Sequence, residues 1–343
     1  MSDDGKRIFY LDYEDNLYQI VSGKEKEKID SEVYSAHAFS GDLKTIIYRT
    51  AGDTVYLKRD GREPVLLSPQ MYGIIRMYDT GEMYYLEGDG YGTALRLYYF
   101  DGKNSEEVTD DFYYTYYDDW SVNYYPAEDT PMLVYQDTDG VYRLAAGGKT
   151  AELDAADPAG FTFSSDGKSL WYVDEPDRNN EGELYRVGIV SGRAGKPEKA
   201  DDEVCAEHIR YTGGGRLIYF KDVSDGEGEL YVDGKKADDD VLLESVEESA
   251  SGALLYFVDY SANKERGTLK QYSGGKSATV EDDVHAFAVL PDGSVLYLRD
   301  YSTSKYRGDL YIYSGGKSTL LDEDVAAIFP ASGGETVKDI GYY

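Results

Sequence analysis

The sequence predicts an all-β chain made of repeated four-stranded sheets. Three observations carry this: a phrase that recurs eight times, apolar runs too short for helices, and a wealth of tyrosine, 36 of 343 residues. Each copy holds a Gly- or Asp-containing turn, a short apolar run ending in Tyr, an acidic loop, and a second run that opens on Leu or Val. Four short strands per unit of about 40 residues is the pattern of propeller blades, in which each sheet packs between two neighbours. A sheet covered on both faces reads as a continuous apolar run, as LIYF and ALLYFV do here. The expectation is a single β-propeller over residues 1–343, with eight four-stranded blades and seven as the alternative count.

The first-run tyrosines are Tyr10, Tyr48, Tyr85, Tyr135, Tyr172, Tyr219, Tyr256 and Tyr297, at spacings between 37 and 50 residues. The second run follows as Leu17-Tyr18, Val55-Tyr56, Leu97-Tyr98, Val141-Tyr142, Leu184-Tyr185, Leu230-Tyr231, Leu269-Lys270 and Leu310-Tyr311, so the seventh copy alone loses its Tyr. A third and a fourth run flank a Gly-Lys or Asp-Gly turn, clearest in DLYIYSGGKSTLLDEDV. The repeats span 1–33, 34–72, 73–118, 119–159, 160–205, 206–244, 245–286 and 287–327. No stretch holds a 3.6-residue apolar period, so helices should be scarce. The first copy begins in mid-unit and lacks its innermost strand. Residues 325–334, VAAIFPASGG, align with 284–293, VHAFAVLPDG, and should supply that strand within a closing segment 325–343. Closure removes open sheet edges.

Composition narrows the partners. A net charge of -31, from 35 basic and 66 acidic residues, repels nucleic-acid phosphates and anionic lipid headgroups. The longest uncharged run, residues 64–75, is well short of the ~20 residues that cross a bilayer. One cysteine, Cys205, excludes an intrachain disulfide and a cysteine zinc site. The first ten residues show no apolar signal segment. The location is therefore extracytoplasmic or cell-surface if an export or anchor segment has been removed, and cytoplasmic otherwise.

The segments SDGKSLWYVD at 165–174 and PDGSVLYLRD at 291–300 resemble the repeats of TolB-like propellers. That resemblance implies a binding scaffold, often outside the cytoplasmic membrane of bacteria, and transfers no catalytic residue. The full Pro-Asp-Gly turn stands only at 291–293, and eight repeats depart from the six blades of that family.

In a four-stranded meander, the loop between strands two and three and the connection to the next blade emerge at one edge. Acidic residues concentrate there, from Asp137 and Asp139 through Asp174, Glu175, Asp177, Asp222, Asp225 and Glu227 to the acidic triplets at 201–203, 238–240, 281–283 and 322–324. Lysines and arginines collect in the other turns. An acidic edge of this kind steers basic partners by long-range attraction, although Asp also favours turns for local reasons.

The densest unusual segment is DDFYYTYYDDWSVNYYP, with Tyr113, Tyr114, Tyr116, Tyr117, Trp120, Tyr124 and Tyr125. Exposed rings flanked by Asp would stack on sugars or act as hot spots for a protein; alternation would instead bury about half of them between blades. His37, His208 and His285 fall in predicted first strands, which line a propeller channel. They lie in repeats two, six and eight, too far apart around a ring for zinc bonds of ~2.1 Å, so no metal site is expected. SGGKST at 314–319 reads as a hairpin turn, since no helix follows to complete a phosphate loop. QDTDG at 136–140 has two spaced aspartates but lacks the later ligands of a calcium loop; calcium is the one cofactor the sequence leaves open. The function expected is a non-enzymatic scaffold that binds a protein, peptide or glycan, with basic partners favoured, through the acidic edge or the channel mouth. The alternatives are a carbohydrate-active hydrolase or lyase with channel-mouth carboxylates, and a structural assembly module.

Overall fold

The computed structural model describes residues 2, 5–39, 43–52, 54–78, 80–88, 94–113 and 124–328. Among them thirty strands run in chain order. The first eleven are β1 (Arg7–Leu11), β2 (Leu17–Val21), β3 (Glu27–Asp30), β4 (Val33–Phe39), β5 (Thr45–Thr50), β6 (Val55–Arg59), β7 (Val65–Ser68), β8 (Met71–Met77), β9 (Met83–Glu87), β10 (Ala94–Phe100) and β11 (Ser105–Tyr113). Next come β12 (Tyr124–Pro126), β13 (Met132–Gln136), β14 (Tyr142–Ala146), β15 (Lys149–Glu152), β16 (Pro158–Phe163), β17 (Ser169–Asp174), β18 (Glu181–Val190), β19 (Arg193–Cys205) and β20 (Arg210–Tyr211). The last ten are β21 (Leu217–Ser224), β22 (Glu227–Val232), β23 (Lys235–Leu242), β24 (Glu247–Glu248), β25 (Leu254–Ser261), β26 (Arg266–Ser273), β27 (Lys276–Val289), β28 (Val295–Ser302), β29 (Arg307–Ser314) and β30 (Lys317–Val325). Among the described residues the helical content is two three-residue 3-10 turns, Ala206–His208 and Leu243–Ser245.

The chain is thus all-β. β1–β3 form a three-stranded sheet; β4–β7, β8–β11 and β12–β15 form four-stranded antiparallel meanders. β16–β30 form one fifteen-stranded sheet that repeats the same meander, with β20 and β24 branching off its main path onto β21 and β25. In that path the step from one meander to the next is thin: β19 meets β21, and β23 meets β25, through one residue pair each, Val204–Lys221 and Val241–Val258. β27 serves twice, pairing with β26 over its first half and β28 over its second. Residues 329–343, the bulk of the expected closing segment, lie outside the described residues.

The repeat tyrosines explain why these runs become strands. Tyr48, Tyr85, Tyr135, Tyr172, Tyr219, Tyr256 and Tyr297 each lie within 1% of full burial, on the second strand of their meander. Core clusters fill the gaps between consecutive sheets: Leu17, Val33, Ile46 and Tyr48 join the first two, and Ile47, Leu57, Met83 and Tyr85 the next two. Val173, Leu184, Leu217 and Tyr219, and then Ile218, Leu230, Leu254 and Tyr256, do the same further on. Both faces of each second strand are covered, so polar alternation is lost. Across the ladder the ring of the second run stacks on the first. Tyr48–Tyr56, Tyr85–Tyr98, Tyr219–Tyr231 and Tyr297–Tyr311 have centroids 5.2–5.6 Å apart and planes within 18°. Aromatic pairs in this geometry add about 0.5–1.5 kcal/mol each beyond their area. Lys270 stands opposite Tyr256, as the lost tyrosine of the seventh copy requires. The fourth copy differs from expectation by one step: Arg143, not Tyr142, faces Tyr135, and Phe112 stacks on that ring at 5.6 Å.

Two local devices end each sheet. The SGGKS turns are two-residue hairpins, with Gly274, Gly275, Gly315 and Gly316 all at positive φ, as the type I′ turn between right-twisted strands demands. Near the opposite edge the second strand bulges at Asp222, Asp259 and Asp300, where φ is 49–54°. The bulge leaves no room beside it: a Cβ on Gly308 would sit 2.7 Å from the Arg299 carbonyl oxygen, and one on Gly267 3.0 Å from that of Val258.

The chain divides into two compact units. Unit 1 holds residues 1–155, 165–170 and 187–197; unit 2 holds 156–164, 171–186 and 198–343.

Candidate functional site

The structure places the sequence-derived candidates as follows. Tyr114, Tyr116, Tyr117 and Trp120 lie outside the described residues. Tyr113 ends β11, half-buried. Tyr124 and Tyr125 are half-buried on β12: Tyr124 packs on Phe112 at 6.0 Å, and burial pushes the Tyr125 phenol up.

His37 lies on β4, its side chain outside the described structure. His208 ends the 3-10 turn Ala206–His208 and packs edge-on to Phe220 at 6.1 Å, which corrects the expectation of a strand position: the path turns helically before the two-residue strand β20. His285 on β27 stacks flat on Tyr301 at 3.7 Å, with Nδ1 2.6 Å from the Glu265 carbonyl oxygen. Among the described residues no group of three His, Cys, Asp or Glu is placed to hold a metal ion. The QDTDG segment is a turn held by Asp137, which is 3% exposed. Its carboxylate accepts from the Asp139 and Val141 amides and pairs with the Arg143 guanidinium at 2.6 Å. Arg143 neutralises the charge that calcium would need.

Many of the expected edge carboxylates are structural. Tyr219 donates to Asp201 at 2.5 Å, and the Lys221 ammonium lies 2.7 Å from the same carboxylate. Tyr256, Asp238 and Lys270 repeat this arrangement, as do Tyr297, Glu281 and Arg299 more loosely. In each case the first member of an acidic triplet on the last strand of one meander accepts the buried tyrosine of the next. Tyr48 donates likewise to Asp30 at 2.7 Å. Glu181 and Glu227 accept the Val223 and Tyr260 amides, and Asp174 accepts the Ala156 and Asp157 amides. These acids hold the edge together.

What remains exposed forms the candidate surface. In unit 2, Glu175, Glu203, Asp222, Asp240, Asp259 and Asp300 are exposed and left-handed, with φ between 48° and 55°. The Val204–Lys221 and Val241–Val258 pairs set Glu203 beside Asp222 and Asp240 beside Asp259. Like charges so placed repel. Burial first, and then Asp240, Asp259 and Asp225, push the Glu227 carboxyl up.

In unit 1 the corresponding loop carries aromatic rings. The β1–β2 loop is fixed by Asp12, whose carboxylate accepts the Glu14 and Asn16 amides at 3.0 and 2.9 Å and the Asn16 side-chain amide at 3.0 Å. Lys28 donates to Asn16 Oδ1 at 2.6 Å. These bonds hold the Asp12 carboxyl below its ordinary range, the Asn16 backbone amide most strongly. The loop presents Tyr13, 93% exposed, between Asp12 and Glu14, with its hydroxyl donating to Glu14 at 3.1 Å; the Asp15 carbonyl accepts the Val33 amide, and Tyr34 beside that residue is 77% exposed. Glu32 stands in the connection. Sequence reading passed over both tyrosines, although the signal was there: DYED is a loop in which a ring has no apolar run to join.

At the opposite edge of unit 1 lies a groove of about 700 Å³ between the turns at 130–132, 146–149, 166–168 and 189–192. Tyr84 donates to the Pro131 and Gly147 carbonyls at 3.0 and 3.2 Å, and Tyr78 to that of Met132 at 3.0 Å. Two buried phenols thus fix its walls. Asp166 and Lys168 pair on the rim at 2.9 Å.

These features define the class of protein: an all-β repeat of antiparallel meanders whose loops are acidic and, in unit 1, bear exposed tyrosines. No family model matches the sequence, and no curated protein matches it. Among solved structures it is similar to a Mycobacterium tuberculosis puromycin-hydrolyzing peptidase, at 13% identity and a TM-score of 0.39, over 86% of this chain and 53% of that one. The chain therefore spans about half the length of that peptidase. A eukaryotic initiation factor is similar at 11% identity and TM-score 0.43, over 93% and 96% of the two chains. The Dos1 propeller is similar at 7% identity and TM-score 0.38, over 93% and 89%. At this level the likenesses assign neither a family nor an activity. No helix among the described residues is long and apolar enough to cross a membrane.

Proposed function

We propose that the chain is an eight-bladed β-propeller serving as a non-enzymatic scaffold that binds a basic protein segment through its acidic edge. The blade count rests on the repeated meander and on the single residue pairs that separate one meander from the next. Closure of the ring is part of the proposal, with residues 325–334 completing the three-stranded sheet along β1. Deleting residues 326–343 then exposes the β1 edge and lowers the melting temperature; an unchanged melting temperature rules that closure out.

The observation that carries the binding function is Tyr13, exposed at 93% on a loop already fixed by Asp12 and Asn16. A rigid ring among carboxylates suits a guanidinium or ammonium group: the ring face attracts the cation, the acids neutralise it, and little side-chain entropy is lost on binding. Repulsion at the left-handed carboxylates of unit 2 is relieved by the same partner chemistry. The test uses a fluorescent Lys/Arg-rich peptide. The Tyr13→Ala, Tyr34→Ala double variant should weaken its binding about tenfold or more, as hot-spot loss does, with the melting temperature unchanged because both rings are exposed. Added salt should weaken binding further. Equal affinity in the double variant, or indifference to salt, would refute the reading.

A further inference from the structure

A second site lies outside the acidic edge and does not depend on the reading above. At the hairpin-turn edge of unit 1, a concavity of about 210 Å³ is lined by Leu57, Arg59, Arg62, Glu63, Phe100 and Lys103, with Val65 and Gly102 completing the wall. Three cations meeting in one concavity is unexpected in a chain of net charge -31. Among the described residues none of the three has an ion-pair partner, although the chain offers acids in excess.

The guanidinium of Arg59 is built in. It lies 5.6 Å from the centre of the Phe100 ring, and its Nη2 is 3.5 Å from the Gly81 carbonyl oxygen. Gly81 and Gly102 make the room: a Cβ on either would stand 3.2 Å from Nη2. Burial first, and then the like charge of Arg62, pull the Arg59 pKa down, with Asp101 opposing. Lys58, 7% exposed, donates to the Arg62 carbonyl at 2.6 Å and so fixes the turn that carries the second cation. On the other side Asp101 accepts the Lys103 and Asn104 amides, each at 2.7 Å, and fixes the turn that carries the third. Of the nearby acids, Asp101 is engaged in its own turn and Glu63 is exposed at the rim. The result is one half-buried guanidinium held in position, with two exposed cations carried beside it on fixed turns.

We propose that this concavity binds a tetrahedral oxyanion, a phosphate or sulfate group, through Arg59, Arg62 and Lys103. A planar guanidinium offers paired donors to such a group, a lysine adds a point charge, and the partial burial of Arg59 strengthens its share. Its size suits the anion with a small organic body beside Phe100 and Leu57.

The experiment is calorimetric titration of the intact chain with inorganic phosphate, with sulfate, and with acetate, at ionic strength matched by sodium chloride. The wild type should bind phosphate and sulfate saturably, and acetate at least tenfold more weakly. The Arg62→Gln, Lys103→Gln double variant, whose side chains are exposed, should keep its melting temperature and lose at least tenfold in affinity for both. Three results would overturn the proposal: no saturable binding by the wild type, acetate binding as tightly as phosphate, or undiminished affinity in the double variant.

Discussion

Asp201 shows how a single residue decides between structure and surface in this chain. Burial pushes its carboxyl up, but the Lys221 ammonium and the Tyr219 hydroxyl together outweigh that and hold it below its ordinary 3.8. Asp238 is held down in the same way by Lys270 and Ser277 against burial. A depressed carboxyl contributes stability that is present above its unfolded pKa and lost as pH falls through its folded pKa. The acid limb of the stability curve should therefore steepen below about pH 4. Glu227 acts with the opposite sign: its carboxyl is pushed up, so acidification relieves it. Asp201→Asn, followed by melting temperature against pH, should lower stability at neutral pH and flatten the acid limb. A variant curve parallel to the wild type's would show that this carboxylate is not coupled to folding. Tyr219→Phe, which removes one hydrogen bond to a charged group, should cost about 1–2 kcal/mol at neutral pH and much less in acid.

At the scale of elements, the sequence made the strands legible and the edges only partly so. The tyrosine period placed the second strand of each meander because a ring that fills a gap between sheets must recur at the same height in every copy. Double coverage erased polar alternation, and that erasure was itself the signal. The register slip at Arg143 was not readable: Tyr142 and Arg143 are adjacent, and Phe112 takes the stacking place from a neighbouring sheet. The 3-10 turn at His208 was hidden for a related reason. It belongs to the step between meanders, where the pairing falls to one residue pair and local geometry replaces the ladder. The acidic triplets were read as surface, yet the first members of three of them, Asp201, Asp238 and Glu281, turn inward to tyrosines, while the third members Glu203 and Asp240 turn left-handed at the bulge. Composition cannot separate these fates; only the register can. The exposed pair Tyr13 and Tyr34 was missed because, among 36 tyrosines, the few that stand exposed, Tyr306 with them, share their residue type with the many that pack.

The charge of the whole molecule sets a final test that separates folding from binding. A net charge of -31 disfavours the compact state by self-repulsion, and salt screens it, since the Debye length falls from about 10 Å at 0.1 M to about 3 Å at 1 M. Local pairs work the other way: Lys221–Asp201, with the lysine 12% exposed, and Arg7–Asp60, with the arginine 11% exposed, are stabilising contacts. They are partly buried and screened less than exposed charges are. Repulsion among the exposed left-handed carboxylates should therefore respond to salt more than these attractions do. Sodium chloride should raise the melting temperature by about one to two degrees, the equivalent of about 1 kcal/mol in a chain of this size. Over the same range it should weaken capture of the basic peptide. The two responses have opposite signs because one counts repulsion within the chain and the other attraction to a partner. Calorimetric melting and peptide titration on one salt series measure both. A melting temperature that falls with salt would mean that the ion pairs outweigh the net charge, and the excess of acids would then need another explanation than recruitment of a basic partner.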